Sequence, residues 1–261
     1  MTIHETAIID PSSEIEEDVS IGPYSVIGPN SKIGKGTIIG SHVVIDRDCR
    51  LGKNNRIYSH AAVGGDPQDL KYGGEQTSCV IGDNNTVREY VTINRGTAEG
   101  GGKTVVGDGN LFMAYSHIAH DCILGNSVIL ANAATLGGHV EIHDYVVIGG
   151  LTGIHQFVRI GAHAIVGALS GVGRDIPPFV TAALTRGQRK VIFGLNLIGL
   201  KRRGFSTEKI ERIREAVRLV SQIEFTVSKL VEILERDFSD SEEVMYMADF
   251  FKKSKRGVKR L

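Results

Sequence analysis

Ser116-His117-Ile118-Ala119-His120-Asp121-Cys122 sets two histidines and a carboxylate inside an otherwise aliphatic, glycine-rich stretch of a 261-residue chain. A lone histidine in such a setting is ordinarily a solvated or hydrogen-bonded surface residue. These are not alone: Gly138 follows His120 by 18 residues, Gln156 follows Gly138 by another 18, and His139 and His155 stand beside them. His120 with Asp121 next to it suits a general base, because a carboxylate can hold the imidazole tautomer and stabilise the imidazolium. A backbone N–H at Gly138, free of side-chain bulk, could face a developing oxyanion. No serine or cysteine stands beside a histidine and a third orienting group, so a covalent nucleophile is not indicated. Together these residues specify deprotonation of a hydroxyl or amine that attacks a carbonyl. With a thioester donor the leaving thiolate, whose thiol pKa is about 8.5, needs little help from an acid.

An interval of 18 residues means proximity only if the backbone repeats with it, so the elements have to be read next. Stepping by six from Ile3 reaches Val63 through aliphatic residues only, and the period resumes at Ile81–Ile93 and again from Val106 to Val172. Of these 26 positions only Phe112 is not aliphatic, and the following residue is glycine in 14 of them. Neither a helix nor an alternating strand has this period. Four places after each aliphatic residue a small or β-branched residue is usual, as at Ser25, Val43, Ala61, Ser116, Val128 and Thr152. Two inward positions per six residues describe a short strand and a corner, with Pro11, Pro23 and Pro29 falling in turns. Three hexads then close a triangular coil, and coils stack at the sheet spacing of about 4.8 Å. The architecture is a hexapeptide parallel β-helix, in which His120, His139 and His155 belong to three successive coils and line one groove.

Loops interrupt the repeat at 65–80 and 98–105, and loops leaving a rigid solenoid usually serve binding. The first carries Gln68, Asp69 and Lys71, a polar trio suited to a sugar or phosphate. The repeat stops at Asp175-Ile176-Pro177-Pro178, giving a β-helix over 1–178 and a connecting segment with a small helical domain over 179–261. Ser206 caps a helix carrying Ile210, Ile213, Val217 and Val220 on one face; Val227, Leu230, Val231 and Leu234 form a second stripe; Asp240 and Glu243 open a third helix. These stripes face a core, as a helical cap over the last coil would make them. No acidic residue lies between 176 and 207, where Arg186, Arg189, Lys190, Lys201, Arg202 and Arg203 form a basic patch for an anionic partner.

Thirty basic and thirty acidic residues cancel, so there is no overall pull toward nucleic acid or membrane. Three cysteines without metal-ligand spacing suggest reduced thiols. With no signal-like N-terminus and no apolar run of about 18 residues, the chain reads as cytoplasmic, without stable membrane insertion.

The hexads, the loop Gly65-Asp66-Pro67-Gln68-Asp69-Leu70-Lys71-Tyr72, the His117–His120 stretch, Gly137-Gly138-His139-Val140, Ile154-His155-Gln156-Phe157 and Gly199-Leu200-Lys201-Arg202-Arg203-Gly204-Phe205 together resemble the acyl-carrier-protein–UDP-N-acetylglucosamine O-acyltransferase family of lipid A synthesis, over nearly the whole chain. The resemblance implies a left-handed helix and a homotrimer with active sites between subunits. It implies transfer of an R-3-hydroxyacyl group from acyl carrier protein to the sugar 3-hydroxyl, with no cofactor beyond the carrier's phosphopantetheine and no metal. Carried over by motif, His120 is the base, Asp121 its partner and Gly138 the oxyanion donor. His117, His139, Gln68, Asp69 and Lys71 line the sugar and acyl pocket, His155 and Gln156 lie further along the groove, and Asn196, Arg202 and Arg203 hold the nucleotide and its phosphates. Four features depart from the family: Ile198 replaces a glutamate found in some members, Asn94 a histidine, Ala168 a frequent glycine at the end of the acyl channel, and 182–195 is longer.

Three other readings share part of the pattern. A 3-amino UDP-sugar acceptor changes only the nucleophile. A γ-carbonic-anhydrase-like zinc enzyme shares the fold, but its ligand histidines are spaced differently. Stacked histidines and long loops count against a non-catalytic scaffold.

Overall fold

In the computed structural model, residues 1–183, 194–220 and 226–258 are described. The six-residue period becomes strands of mostly two residues joined by turns, and every third strand pairs in parallel with the one a coil away. Three sheets of 11, 9 and 8 strands make the three faces of a triangular prism. The register is that of the hexads: Ile118 lies beside Ile93 on one side and Leu136 on the other. The leading aliphatic residue points inward and is buried on nearly every coil, from Ile21 to Val172. Burying each is worth about 1.5–3 kcal/mol relative to exposure. The small inward residue four places on turns the corner from inside, and where it is Asn55, Asn85 and Asn110 the side chains form a buried ladder.

The fourth residue of most hexads sits in the left-handed region, as at His42 (φ 56), Asp121 (φ 59) and His139 (φ 59). The glycines answer a different need, one place after the aliphatic residue. A Cβ on Gly34 would stand 2.5 Å from the backbone of Gly52 on the next coil. Glycine there lets the coils approach.

Parallel pairing continues past the double proline: Val180–Ala182 stacks on Ile165–Val166, and Gly194–Leu195 then pairs with it antiparallel. Pro177 and Pro178 are buried in the connection rather than ending the sheet. Strands likewise enter both expected loops, reaching Gly65 and restarting at Ser78 in the first and restarting at Lys103 in the second. Among the described residues four helices follow: α1 (Leu197–Arg202), α2 (Thr207–Val220), α3 (Val227–Asp237) and α4 (Glu242–Lys252). Ser206 accepts from the Lys209 N–H as expected. The third helix of the sequence reading begins differently: Ser241, not Asp240, accepts from Val244 N–H, and Asp240 pairs with Arg212 instead. The six-residue α1 was not foreseen. No helix among the described residues is long and apolar enough to cross a membrane.

Candidate active site

His120 lies in the corner between the second and third faces, after the strand His117–Ile118. Both loops leave the β-helix at this same corner. The first departs after Ala62–Gly65 and the second after Thr92–Asn94, on the two coils that precede His120. Excursions at one corner of adjacent coils therefore build a wall beside one histidine.

The His120 Nδ1 stands 2.8 Å from Asp121 Oδ2. A carboxylate only accepts, so Nδ1 carries the proton and Nε2 is left as an acceptor. Asp121 is itself held from the second loop: Thr97 donates its N–H to Oδ1 at 2.8 Å and its hydroxyl to Oδ2 at 2.7 Å. Gly100 fits against the carboxylate so closely that a Cβ would stand 2.0 Å from Asp121 Cγ. Thr104 accepts the Asp121 N–H at 2.8 Å. Both residues are buried, His120 at 9% and Asp121 at 5% exposure. Low dielectric around a pinned carboxylate strengthens its hold on the imidazole.

Gly138 sits one coil on, as the 18-residue interval requires. A Cβ there would lie 2.6 Å from His120 Cε1 and 2.7 Å from Nε2, so backbone passes directly beside the basic nitrogen. The Gly138 carbonyl accepts from Phe157, while its N–H has no hydrogen-bond partner among the described residues. A free N–H next to a free imidazole nitrogen is the pairing an oxyanion intermediate needs.

His139 meets His120 edge to face at 5.1 Å between ring centres, and its Nε2 stands 3.8 Å from Asp121 Oδ2. Burial lowers its pKa, with Asp121 pulling the other way. His117 is held by Thr92 Oγ1 at 2.7 Å, and burial, helped by His120, pushes its pKa below the ordinary histidine value. Both rings therefore favour the neutral form. Cys122 faces inward, and burial pushes its thiol up to about 12, which removes it as a nucleophile.

His155 and Gln156 are exposed, and among the described residues the His155 ring bonds only the Gln156 carbonyl, at 3.1 Å. The groove does not continue as a row of histidines, because the three occupy different positions of the corner. The ring stacked on His139 is Phe157, at 4.3 Å and 7°. Asp121, His139 and Phe157 stand at the same place on three coils, a signal present in the 18-residue interval but not drawn from it. Asp69 and Lys71 line a small cleft with Tyr72, Glu75, Thr97 and Glu99, where Lys71 reaches Glu99 at 3.5 Å across the two loops. Gln68 is exposed on the same loop. Asn94 ties that loop down, donating to the Asp66 carbonyl at 2.9 Å.

Asn196, Arg202 and Arg203 gather elsewhere. With Ile129, Val147, Ile165 and the exposed Ile198 they line a groove of about 810 Å³ on the first face. That face is opposite the corner holding His120, so one chain does not join the two sets. Asn196 caps α1, accepting from Gly199 N–H at 3.0 Å and donating to the His163 carbonyl at 2.8 Å. Arg203 stacks over Tyr145 at 4.8 Å. Of the basic patch, Arg186, Arg189 and Lys190 lie outside the described residues, as does most of the 182–195 stretch.

This geometry has close relatives. The chain is 48% identical over 258 residues to the acyl-[acyl-carrier-protein]–UDP-N-acetylglucosamine O-acyltransferase of Thermodesulfovibrio yellowstonii, covering 99% of both chains. It belongs to that family. The family's second-domain model matches residues 175–259, and a bacterial transferase hexapeptide model matches 1–35 and 103–138. Among solved structures, LpxA from Acinetobacter baumannii superposes with a TM-score of 0.94 at 41% identity, covering 100% of both chains. The UDP-N-acetylglucosamine acyltransferase of Francisella novicida gives 0.96 at 38% identity, covering 100% of this chain and 94% of that one. Fold class and family thus agree with the expectations drawn from the hexads and motifs.

Proposed function

We propose that this chain transfers an R-3-hydroxyacyl group from acyl carrier protein to the 3-hydroxyl of UDP-N-acetylglucosamine, the first step of lipid A synthesis, by direct attack without a cofactor. The observation that carries the reading is the free Gly138 N–H beside the free Nε2 of an imidazole whose other nitrogen is fixed by Asp121. In the first step His120 Nε2 takes the proton of the sugar hydroxyl as its oxygen attacks the thioester carbonyl. The carbonyl oxygen becomes an oxyanion facing Gly138 N–H. Collapse breaks the carbon–sulfur bond and the departing thiolate takes the proton back from the imidazolium. Such a base is worth about 10²–10⁴ in rate.

Gln68, Asp69, Lys71, His117 and His139 border the reacting corner and act on the sugar and acyl groups, with His155 and Gln156 toward the next coils. Asn196, Arg202 and Arg203 receive the nucleotide, and Lys201 and Arg202 offer exposed charge to the acidic carrier. The groove lies opposite His120, which fits a working unit of more than one copy, and the family resemblance makes that unit a homotrimer in which the groove of one copy faces the corner of another. A cytoplasmic setting follows from a carrier-protein donor and a nucleotide-sugar acceptor.

Purified protein given R-3-hydroxyacyl carrier protein and UDP-N-acetylglucosamine should form the 3-O-acyl sugar nucleotide, read by mass spectrometry. His120→Ala should lose at least about 10²-fold in kcat while keeping its oligomeric state by light scattering. Full turnover in that variant would overturn the assignment of the base.

A further inference from the structure

We infer that His120, Asp121 and His139 form a latent binding site for zinc, whose occupation blocks the base. Each offers one ligand atom, and the three atoms lie within 4.8 Å of one another at a buried to half-buried corner. Asp121 Oδ2 is 2.8 Å from His120 Nδ1 and 3.8 Å from His139 Nε2. A tetrahedral zinc with bonds of about 2.0–2.2 Å wants its ligand atoms roughly 3.3 Å apart. Two spacings are already near that value, and small rotations of two imidazoles supply the rest. Two nitrogens and one carboxylate oxygen, with the fourth place for water, are the donor set that favours zinc over magnesium or calcium.

The surroundings are those of a built site. Metal-binding carboxylates are usually fixed by outer hydrogen bonds, and Asp121 has two from Thr97, at 2.8 and 2.7 Å. His139 is clamped by the Phe157 ring stacked on it at 4.3 Å. The ion takes the position of the proton now shared by His120 Nδ1 and Asp121. That proton moves to Nε2 of the same ring, so no charge or proton is lost from the site. Nε2 then carries hydrogen and cannot accept one from a hydroxyl. Zinc would therefore act as an inhibitor of this corner rather than as its cofactor. The block on catalysis rests on the acyl-transfer reading; binding of the ion does not.

The test is calorimetric titration of the full-length, chelator-treated protein with zinc chloride near neutral pH, beside magnesium chloride. One zinc per chain is expected, with magnesium silent. His139→Asn and, independently, Asp121→Asn should each weaken zinc binding at least about 10-fold. His42→Asn, in an exposed ring stack away from this corner, should bind as the parent does. Circular dichroism reports whether each variant is folded. In the coupled arm, zinc should suppress acyl transfer by the parent protein and EDTA should restore it. Absence of zinc binding by the parent, or undiminished binding in both folded variants, overturns the site. Undiminished acyl transfer with the ion bound overturns the block. A protein that binds zinc as described but transfers no acyl group retains the site and overturns the acyl-transfer reading.

Discussion

At position 138 a single methyl group separates a site from a filled corner. The Cβ of alanine would meet His120 Cε1 at 2.6 Å and Nε2 at 2.7 Å, closer than carbon approaches either atom. The imidazole must rotate away, and rotation breaks the line from Nδ1 to Asp121. No positive φ is involved at this glycine, so the fold itself tolerates the change. Gly138→Ala should lower kcat by about 10²-fold through misplacement of base and N–H together, with a melting temperature close to that of the parent. A parent-like kcat would show that the ring has room to spare. At this scale much was legible: His120, Asp121 and Gly138 fall together because the hexad count is strict. What the count concealed was support from outside the repeat. Thr97 grips Asp121 through a loop conformation that no period predicts, and the motif containing Phe157 does not disclose its stack on His139.

Among the elements, the helical region is fastened to the third face and to the corner beyond it. Tyr246 of α4 takes the Ala162 N–H at 2.9 Å and meets His143 Nδ1 at 2.5 Å, while Arg159 lies over the Phe250 ring at 4.7 Å. The helix stripes were readable from spacing, but these contacts were not, since His143 and Tyr246 are 103 residues apart. The start of α4 was misread for a local reason: Asp240 and Ser241 are both good caps, and Asp240 was drawn off by Arg212. The same junction yields a pH prediction. His163 stacks between Tyr145 at 4.8 Å and Phe179 at 5.6 Å, and burial with the nearby Arg203 lowers its pKa to about 4. An unfolded histidine titrates near 6.5. Between about pH 6.5 and 4 the unfolded chain therefore binds a proton that the native chain refuses, and stability falls as pH falls through that window, levelling below it. Glu141, held at about 2 by His143 and Arg159, acts in a lower window, from its ordinary value near 4.5 downward. His163→Phe, which keeps the ring stack, should show a smaller drop in denaturation midpoint between about pH 7 and 5 than the parent. Equal drops would refute a folded-state cause.

For the whole molecule, the His120 corner and the groove of Asn196, Arg202 and Arg203 lie on opposite sides of one prism. Counting hexads by threes from Ile3 would have placed both loops and His120 at one corner, so this much was present in the sequence. The groove of Asn196, Arg202 and Arg203 was not readable in the same way, because it depends on α1 folding back over the first face after the repeat has ended. An apolar ridge follows another corner, where Tyr24, His42, His60, Tyr90 and Tyr115 stack at 4.9–5.1 Å and Leu151 and Leu169 continue the line, each 66% exposed. Exposed apolar surface of this extent commonly marks an interaction surface. If the base comes from one subunit and the nucleotide groove from the next, damage to each can be separated between chains. His120→Ala and Arg202→Ala preparations should each be nearly inactive alone. Mixed in equal amounts, unfolded and refolded together, they should form trimers in which roughly one interface in four joins an intact His120 to an intact Arg202. Recovery of about a quarter of parental kcat per site would then be expected, scaling with the mixing ratio as the product of the two fractions. Sites contained within single chains would instead give no recovery at any ratio.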